Sequence, residues 1–269
     1  MHRPIAILDS GVGGLTVARE IMRQLPKEKV MYFGDTERTP YGPRSADEVR
    51  AFTHQIVDYL LQYNPKMIVI ACNTATAAAL DDIRAAVDVE VVGVIEPGAR
   101  SAITHTRTGM VGIIGTEGTI QSGAYKRALH ALSPQIEVYS LACPAFVPLV
   151  EKGLFDSEQA TEVVADTLSV MKTYPIDCLV LGCTHYPFLQ PTIAKVMGPE
   201  VELINSAEET AREISTILSH KQLLAQSLEV PQHQFFCSGD PKMFRKIVQI
   251  WLHEDVQVTP VTWPVSNMM

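Results

Sequence analysis

No run of about 18 apolar residues occurs in this chain of 269, so it holds no helical membrane span. It opens MHRPIAILDSG, straight into an apolar strand, without the apolar core and small-residue cleavage site of a signal peptide. Basic residues are scarce. Lys and Arg number 22 against 30 Asp and Glu, for a net charge of −8. No basic tract stands out, which argues against nucleic acid as a partner. An anionic ligand would have to be held by local groups and not by the overall field. The five cysteines are an odd, sparse set with no Cys-x-x-Cys pair. With no export signal they are expected to be reduced thiols in a cytoplasmic protein, and disulfide exchange is disfavoured. Cys183-x-His185 has no second pair at ligand spacing, so no metal is expected.

Hydrophobic residues make up 46% and charged residues only 19%, enough to bury a sizeable core. Nearly continuous Val/Ile-rich runs predict strands at Ile5–Leu8, Val30–Phe33, Met67–Ala71, Val91–Ile95, Val111–Ile114, Glu137–Leu141, Leu179–Leu181 and Val201–Ile204. Runs of that kind belong to strands covered on both faces. Helical patterns lie between them. One is opened by a capping box, Ser45-Ala-Asp-Glu48, and runs to about Tyr63; another starts at Ser157. This alternation predicts an α/β fold with parallel sheets.

The chain also repeats. ILDSGVGGLTVAREI resembles GIIGTEGTIQSGAYKRAL, which starts at Gly112. Asp9 precedes Cys72 by 63 residues, and Thr116 precedes Cys183 by 67. The expectation is two similar parallel-sheet α/β domains related by a pseudo-twofold, with the site in the cleft between them. Glu96-Pro97-Gly98 reads as a boundary turn. The first domain would be residues 1–97 with the tail 208–269 returning to it, and the second 98–207. The tail is expected to add a strand at His233–Cys237 and a helix at Lys242–Leu252.

In such sheets ligands bind beyond the carboxyl ends of the strands. Cys72 and Cys183 each stand at a strand-to-helix corner in matching places of the two halves. A helix N-terminus there favours the thiolate. Two thiols on matched scaffolds suit removal of a proton from one face of a substrate and delivery to the other. Cys178 and Cys237 read as buried small hydrophobes, and Cys143 as lining of the cleft. Asp9, before a glycine turn, fits a general base or its assistant. His185 fits a proton partner of Cys183. Ser10, Asn73, Thr74, Thr116, Thr119 and Thr184 offer hydroxyls and an amide for carboxylates, though capping explains part of the set. Tyr41-Gly42 lies in a Pro-rich loop over the cleft.

Four motifs, LDSGVGGLTV, FGDTERTPYGPRS, IACNTATA and LGCTHYP, strongly resemble the cofactor-independent aspartate/glutamate racemases, glutamate racemase most closely. The similarity runs through nearly the whole chain. It implies two α/β domains around a buried site, no pyridoxal phosphate and no metal, glutamate as substrate and a homodimer. By this resemblance Cys72 and Cys183 match the catalytic cysteines, the first acting toward D-glutamate and the second toward L-glutamate. Asp9 assists the first; His185 and Glu151 assist the second. Substrate contacts fall on Asp9, Ser10, Tyr41, Gly42, Asn73, Thr74, Thr184 and His185, with Thr116 and Thr119 as looser matches. Two other readings stay open: a racemase for aspartate or a related amino acid, and a two-domain binding protein for small anions.

Overall fold

The structure is a computed structural model and describes residues 3–226, 229–252 and 256–263. From the start, β1 (Ile5–Asp9), α1 (Leu15–Gln24), β2 (Val30–Gly34), α2 (Ala46–Leu61), β3 (Met67–Ile70), α3 (Asn73–Ala86) and β4 (Glu90–Gly93) alternate. Helix α4 (Ile95–His105) leads to β5 (Met110–Gly115), α5 (Glu117–Ser122), α6 (Ala124–Leu132), β6 (Glu137–Ala142), α7 (Phe146–Glu151) and α8 (Glu158–Leu168). Then come β7 (Cys178–Gly182), α9 (Gln190–Met197), β8 (Glu202–Ile204) and α10 (Ser206–His220). The last described elements are β9 (Gln234–Cys237), α11 (Pro241–Leu252) and β10 (Val258–Pro260).

Among the described residues the strands form two sheets, ordered β10-β9-β2-β1-β3-β4 and β6-β5-β7-β8. Every pairing is parallel. The order β2-β1-β3-β4 thus recurs as β6-β5-β7-β8. The expected duplication is visible as topology: β3, which leads to Cys72, and β7, which leads to Cys183, hold equivalent positions. In both units the strand order reverses beside the first strand, which opens a crevice at the carboxyl ends.

Strands β1, β2, β3 and β7 are buried at every position. Alternate residues divide between the two faces of the first sheet. Ile5, Ile7, Val30, Tyr32, Met67 and Val69 pack with Leu15 and Ile21 of α1 and Ile214 and Leu218 of α10. Ala6, Leu8, Met31, Phe33, Ile68 and Ile70 pack with Val49, Ile56 and Leu60 of α2 and Ile83 of α3. Each fully buried Val, Leu or Ile side chain contributes roughly 1.5–3 kcal/mol. Cover on both faces is why the runs read as continuous apolar stretches and not as alternating ones.

The tail returns to the first sheet. β9 pairs with β2, and β10 pairs with β9. β10 was not expected; its three residues, Val-Thr-Pro, are too short and proline-bearing to read as a strand. Glu96-Pro97-Gly98 is not a turn but lies in the first turn of α4. Proline is tolerated there because its missing N–H would have no intrahelical partner. Gly98 serves close packing, since a Cβ would stand 3.1 Å from the Tyr125 hydroxyl.

Helix α2 has the expected capping box, with Ser45 Oγ accepting from Glu48 N–H and the Glu48 carboxylate accepting from Ser45 N–H. Replacing Ser45 by Ala is expected to lower unfolding free energy by about 1 kcal/mol, read from urea denaturation.

Candidate active site

Both cysteines come to one place. Cys72 follows β3 and is the N-cap of α3, where its Sγ accepts from the Ala75 N–H at 3.5 Å. Cys183 directly follows β7. The wall of a single small cavity contains Cys72, Asn73 and Thr74 from one half, and Thr116, Cys183, Thr184 and His185 from the other. Ser10, Pro40, Tyr41, Gly42 and Val147 complete it. The cavity measures about 20 Å³, room for roughly one water.

Asp9 ends β1 and is fully buried behind this wall. Its Oδ2 accepts from the Gly11 N–H at 3.0 Å, and its Oδ1 accepts from the Thr184 hydroxyl at 3.3 Å. The second bond links the residue beside Cys183 to the carboxylate on the Cys72 side. Gly13 allows the two arms to meet, because a Cβ there would lie 2.5 Å from Thr184 Oγ1 and 2.9 Å from His185 Nδ1.

The Cys183 arm is a chain of three groups. Cys183 Sγ lies 3.8 Å from His185 Nδ1, and His185 Nε2 faces Glu151 Oε1 at 3.7 Å. The latter is an ion-pair separation longer than a hydrogen bond, and Glu151 also accepts from the Thr39 hydroxyl at 3.2 Å. Glu151 itself stands one layer behind the cavity, at the end of α7.

The hydroxyls expected to hold carboxylates form a cluster. Thr74, Thr116 and Thr119 hydrogen-bond one another at 2.9, 3.0 and 3.2 Å. The Asn73 side-chain oxygen accepts from the buried Tyr125 hydroxyl at 2.7 Å. The Gly42 carbonyl accepts from Gly118 N–H at 3.0 Å, which sets the Pro-rich loop against α5.

Electrostatically the two arms differ. Burial, with the Asp9 charge next, pushes the Cys72 thiol up to about 12, against the opposing pull of the Ala75 N–H and the Ser10 hydroxyl. Burial also raises Asp9, against the pull of His185 and of the Gly14, Gly11 and Thr184 donors. Burial alone would lower His185. The Cys183 sulfur and the Glu151 carboxylate outweigh it and lift the imidazole to about 10. Desolvation opposes ionisation of Glu151 as well, but His185 and Thr39 hold it below the usual range. The Cys72 arm therefore favours a protonated thiol, and the Cys183 arm favours a protonated imidazole beside its sulfur.

Cys143 does not line the cavity. It is fully buried under the second sheet, where its carbonyl accepts from the Tyr186 hydroxyl at 2.9 Å. The apolar LACPAF stretch folds inward there instead of ending at the crevice. Cys178 and Cys237 are buried in the core. Sequence reasoning had passed over Val147, Pro40 and Tyr125. Val147 and Tyr125 sit in helical patterns without any chemical signature, and only packing between the halves brings them to the site.

A model of the Asp/Glu/Hydantoin racemase family matches residues 7–214. The chain belongs to that family. A glutamate racemase of Bacillus cereus is 52% identical over 257 residues, covering 96% of each protein. The crystal structure of glutamate racemase isoform RacE1 from Bacillus anthracis superposes with a TM-score of 0.95 at 50% identity, covering 98% of this chain and 99% of that one. Glutamate racemase from Francisella tularensis, solved in complex with D-glutamate, gives 0.90 at 35% identity, over 97% and 98% of the two chains. This member of the racemase family has the fold of those enzymes throughout, and it is an amino-acid racemase.

Two expectations follow from the geometry. Gly13→Ala should push Thr184 and His185 out of line and lower turnover about 100-fold, measured by polarimetry, with little change in melting temperature. His185 rises from 6.5 to about 10 on folding. The stability its protonation adds is complete below the lower value and is lost as pH climbs through the upper one. The stability gap between the wild type and His185→Asn should therefore narrow from pH 7 to pH 10 in urea titrations. A constant gap would mean that His185 is neutral in the fold.

Proposed function

We propose that the chain interconverts L- and D-glutamate by moving a proton at Cα between Cys72 and Cys183. The observation that carries this reading is that both thiols stand in the wall of one small cavity with different polar neighbours, Asp9 on the Cys72 side and His185 beside Cys183. A thiolate is favoured beside a cation, and the imidazolium of His185 lies next to Cys183. Cys72 keeps its proton. Cys183 is then the base toward L-glutamate while Cys72 delivers a proton to the opposite face. In the reverse direction the proton of Cys72 passes to Asp9, a carboxylate that burial already makes more basic. Cys72 takes the proton of Cα while Cys183, protonated by His185, delivers one to the opposite face.

A Cα–H beside a carboxylate is a weak acid, so the developing carbanion needs stabilisation. The hydroxyls of Ser10, Thr74 and Thr184 and the amide of Asn73 are fixed donors for the α-carboxylate in a water-excluding site. Tyr41, Gly42 and Thr116 bound the remaining space for the side chain, with Thr119 behind them on Thr74 and Thr116. One base returning its own proton would have to cross the substrate plane; two thiols on opposite walls avoid this. A cavity of about 20 Å³ is too small for an amino acid, so the walls part to admit it.

Among the described residues no helix is long and apolar enough to cross a membrane. The reading includes a cytoplasmic homodimer of two-domain subunits, divided near residues 97 and 207, supplying D-glutamate for peptidoglycan.

Changing either cysteine to Ala should reduce racemisation of both enantiomers to background, followed by circular dichroism. In deuterated water each enantiomer should give product carrying deuterium at Cα. Near-normal turnover by Cys183→Ala, or product that retains its original hydrogen, would sink the two-base reading. A preference for aspartate under the same assay would transfer the reaction to the shorter substrate.

A further inference from the structure

Asp35 follows β2 and is fully buried, yet it does not line the cavity. Its two oxygens face different parts of the chain. Oδ2 accepts from Arg38 Nε at 2.7 Å and from the Tyr41 hydroxyl, both in the loop that carries Tyr41-Gly42. Oδ1 accepts from the Ser238 hydroxyl at 2.7 Å and from the Trp263 indole N–H at 3.2 Å, both in the returning tail. The Arg38 guanidinium carbon sits 4.2 Å from the Phe52 ring centroid and 4.6 Å from that of Trp263. The indole thus contacts the loop both directly and through the carboxylate.

A buried carboxylate is tolerated only when its charge and lone pairs are answered. Here a guanidinium supplies the charge, and hydroxyl and indole donors supply the rest. Hydrogen bonds to an ionised acceptor are about twice as strong as neutral ones. Losing a donor on one oxygen therefore loosens the group that holds the other. Tyr41 is almost wholly buried and walls the cavity, and the Gly42 carbonyl grips Gly118 of α5. Whatever moves Asp35 moves that wall.

We propose that Asp35 is a positioning residue that sets Tyr41 and Gly42 over the site, and that Trp263 shares this role through the same carboxylate. The tail after β10 thereby tunes how tightly substrate is held, without entering the proton transfer. The kinetic form of this statement rests on the glutamate reading above.

The test uses Trp263→Phe, which keeps the ring and removes the N–H donor, together with Asp35→Asn and the double variant of the full chain. Steady-state racemisation is measured from each enantiomer, and hydrogen exchange is measured over residues 36–44 of the unliganded protein. KM is expected to rise about threefold in Trp263→Phe and about tenfold in Asp35→Asn, in line with one lost bond to a charged acceptor and with loss of the charge itself. Turnover at saturation should stay within about twofold, because neither residue touches the reacting atoms. The double variant should match Asp35→Asn alone, and exchange over residues 36–44 should quicken in every variant. An unchanged KM and unchanged exchange in Trp263→Phe would overturn the proposal, as would a loss confined to kcat or effects that multiply in the double variant. Should Asp35→Asn fail to fold, Trp263→Phe decides alone. Should the wild type not racemise glutamate, the substrate reading fails, and the exchange measurement still judges the positioning role.

Discussion

The hydrogen bonds among Thr74, Thr116 and Thr119 join the two halves where chemistry is expected. Thr74 is in the first turn of α3, Thr116 caps α5, and Thr119 lies within α5. Each helix directs its N-terminus toward the same crevice, and that end carries N–H groups without intrahelical partners and partial positive charge. Separately, either terminus would be a generic anion-attracting corner. Tied together, they set the sulfur of Cys72 and the sulfur of Cys183 on the wall of one cavity. The Thr184–Asp9 bond is a second tie between the halves. Gly13 and Gly42 let the chains approach closely enough for both ties to form.

Duplication produces the scaffold, and departures from it produce the proposed chemistry. The strand order is the same in the two halves, and each cysteine follows the same strand of its unit. Their surroundings diverge. Cys72 is buried with a carboxylate for a neighbour, and burial first and that charge second push its thiol up. Cys183 has an imidazole that the sulfur and the Glu151 carboxylate together push toward its protonated form. Two identical environments would give both thiols the same neighbours. Unequal ones distinguish the two sulfurs, and that difference is what the proposed reaction uses. The returning tail adds a further asymmetry, since Ser238 and Trp263 reach a carboxylate only in the first half.

Most strands were readable because burial on both faces leaves an unbroken Val/Ile run, as at Val30–Phe33 and Met67–Ile70. The α2 capping box was readable because it depends on only four consecutive residues. Glu96-Pro97-Gly98 was misread because a proline in the first helical turn looks locally the same as one in a turn. What separates them is the packing of Gly98 against Tyr125 and Ser206. Cys143 was misread for a related reason. A cysteine after an apolar run looks the same whether the chain next turns toward the crevice or into the core. Glu151 carried no local signal at all, and only its meeting with His185 and Thr39 gives it an environment.

The amino-acid sequence by itself determined the α/β class, the internal repeat, the family and the two thiols at matched strand ends. These rest on periodicity and on contiguous motifs, which are local properties of the chain. Only the tertiary structure decided which groups face each sulfur, which residues stand in the cavity wall and which behind it, and how the tail reaches the Tyr41 loop. Charge state and positioning depend on burial and on contacts between segments as distant as Asp35 and Trp263, and such contacts exist only once the two sheets have folded and met.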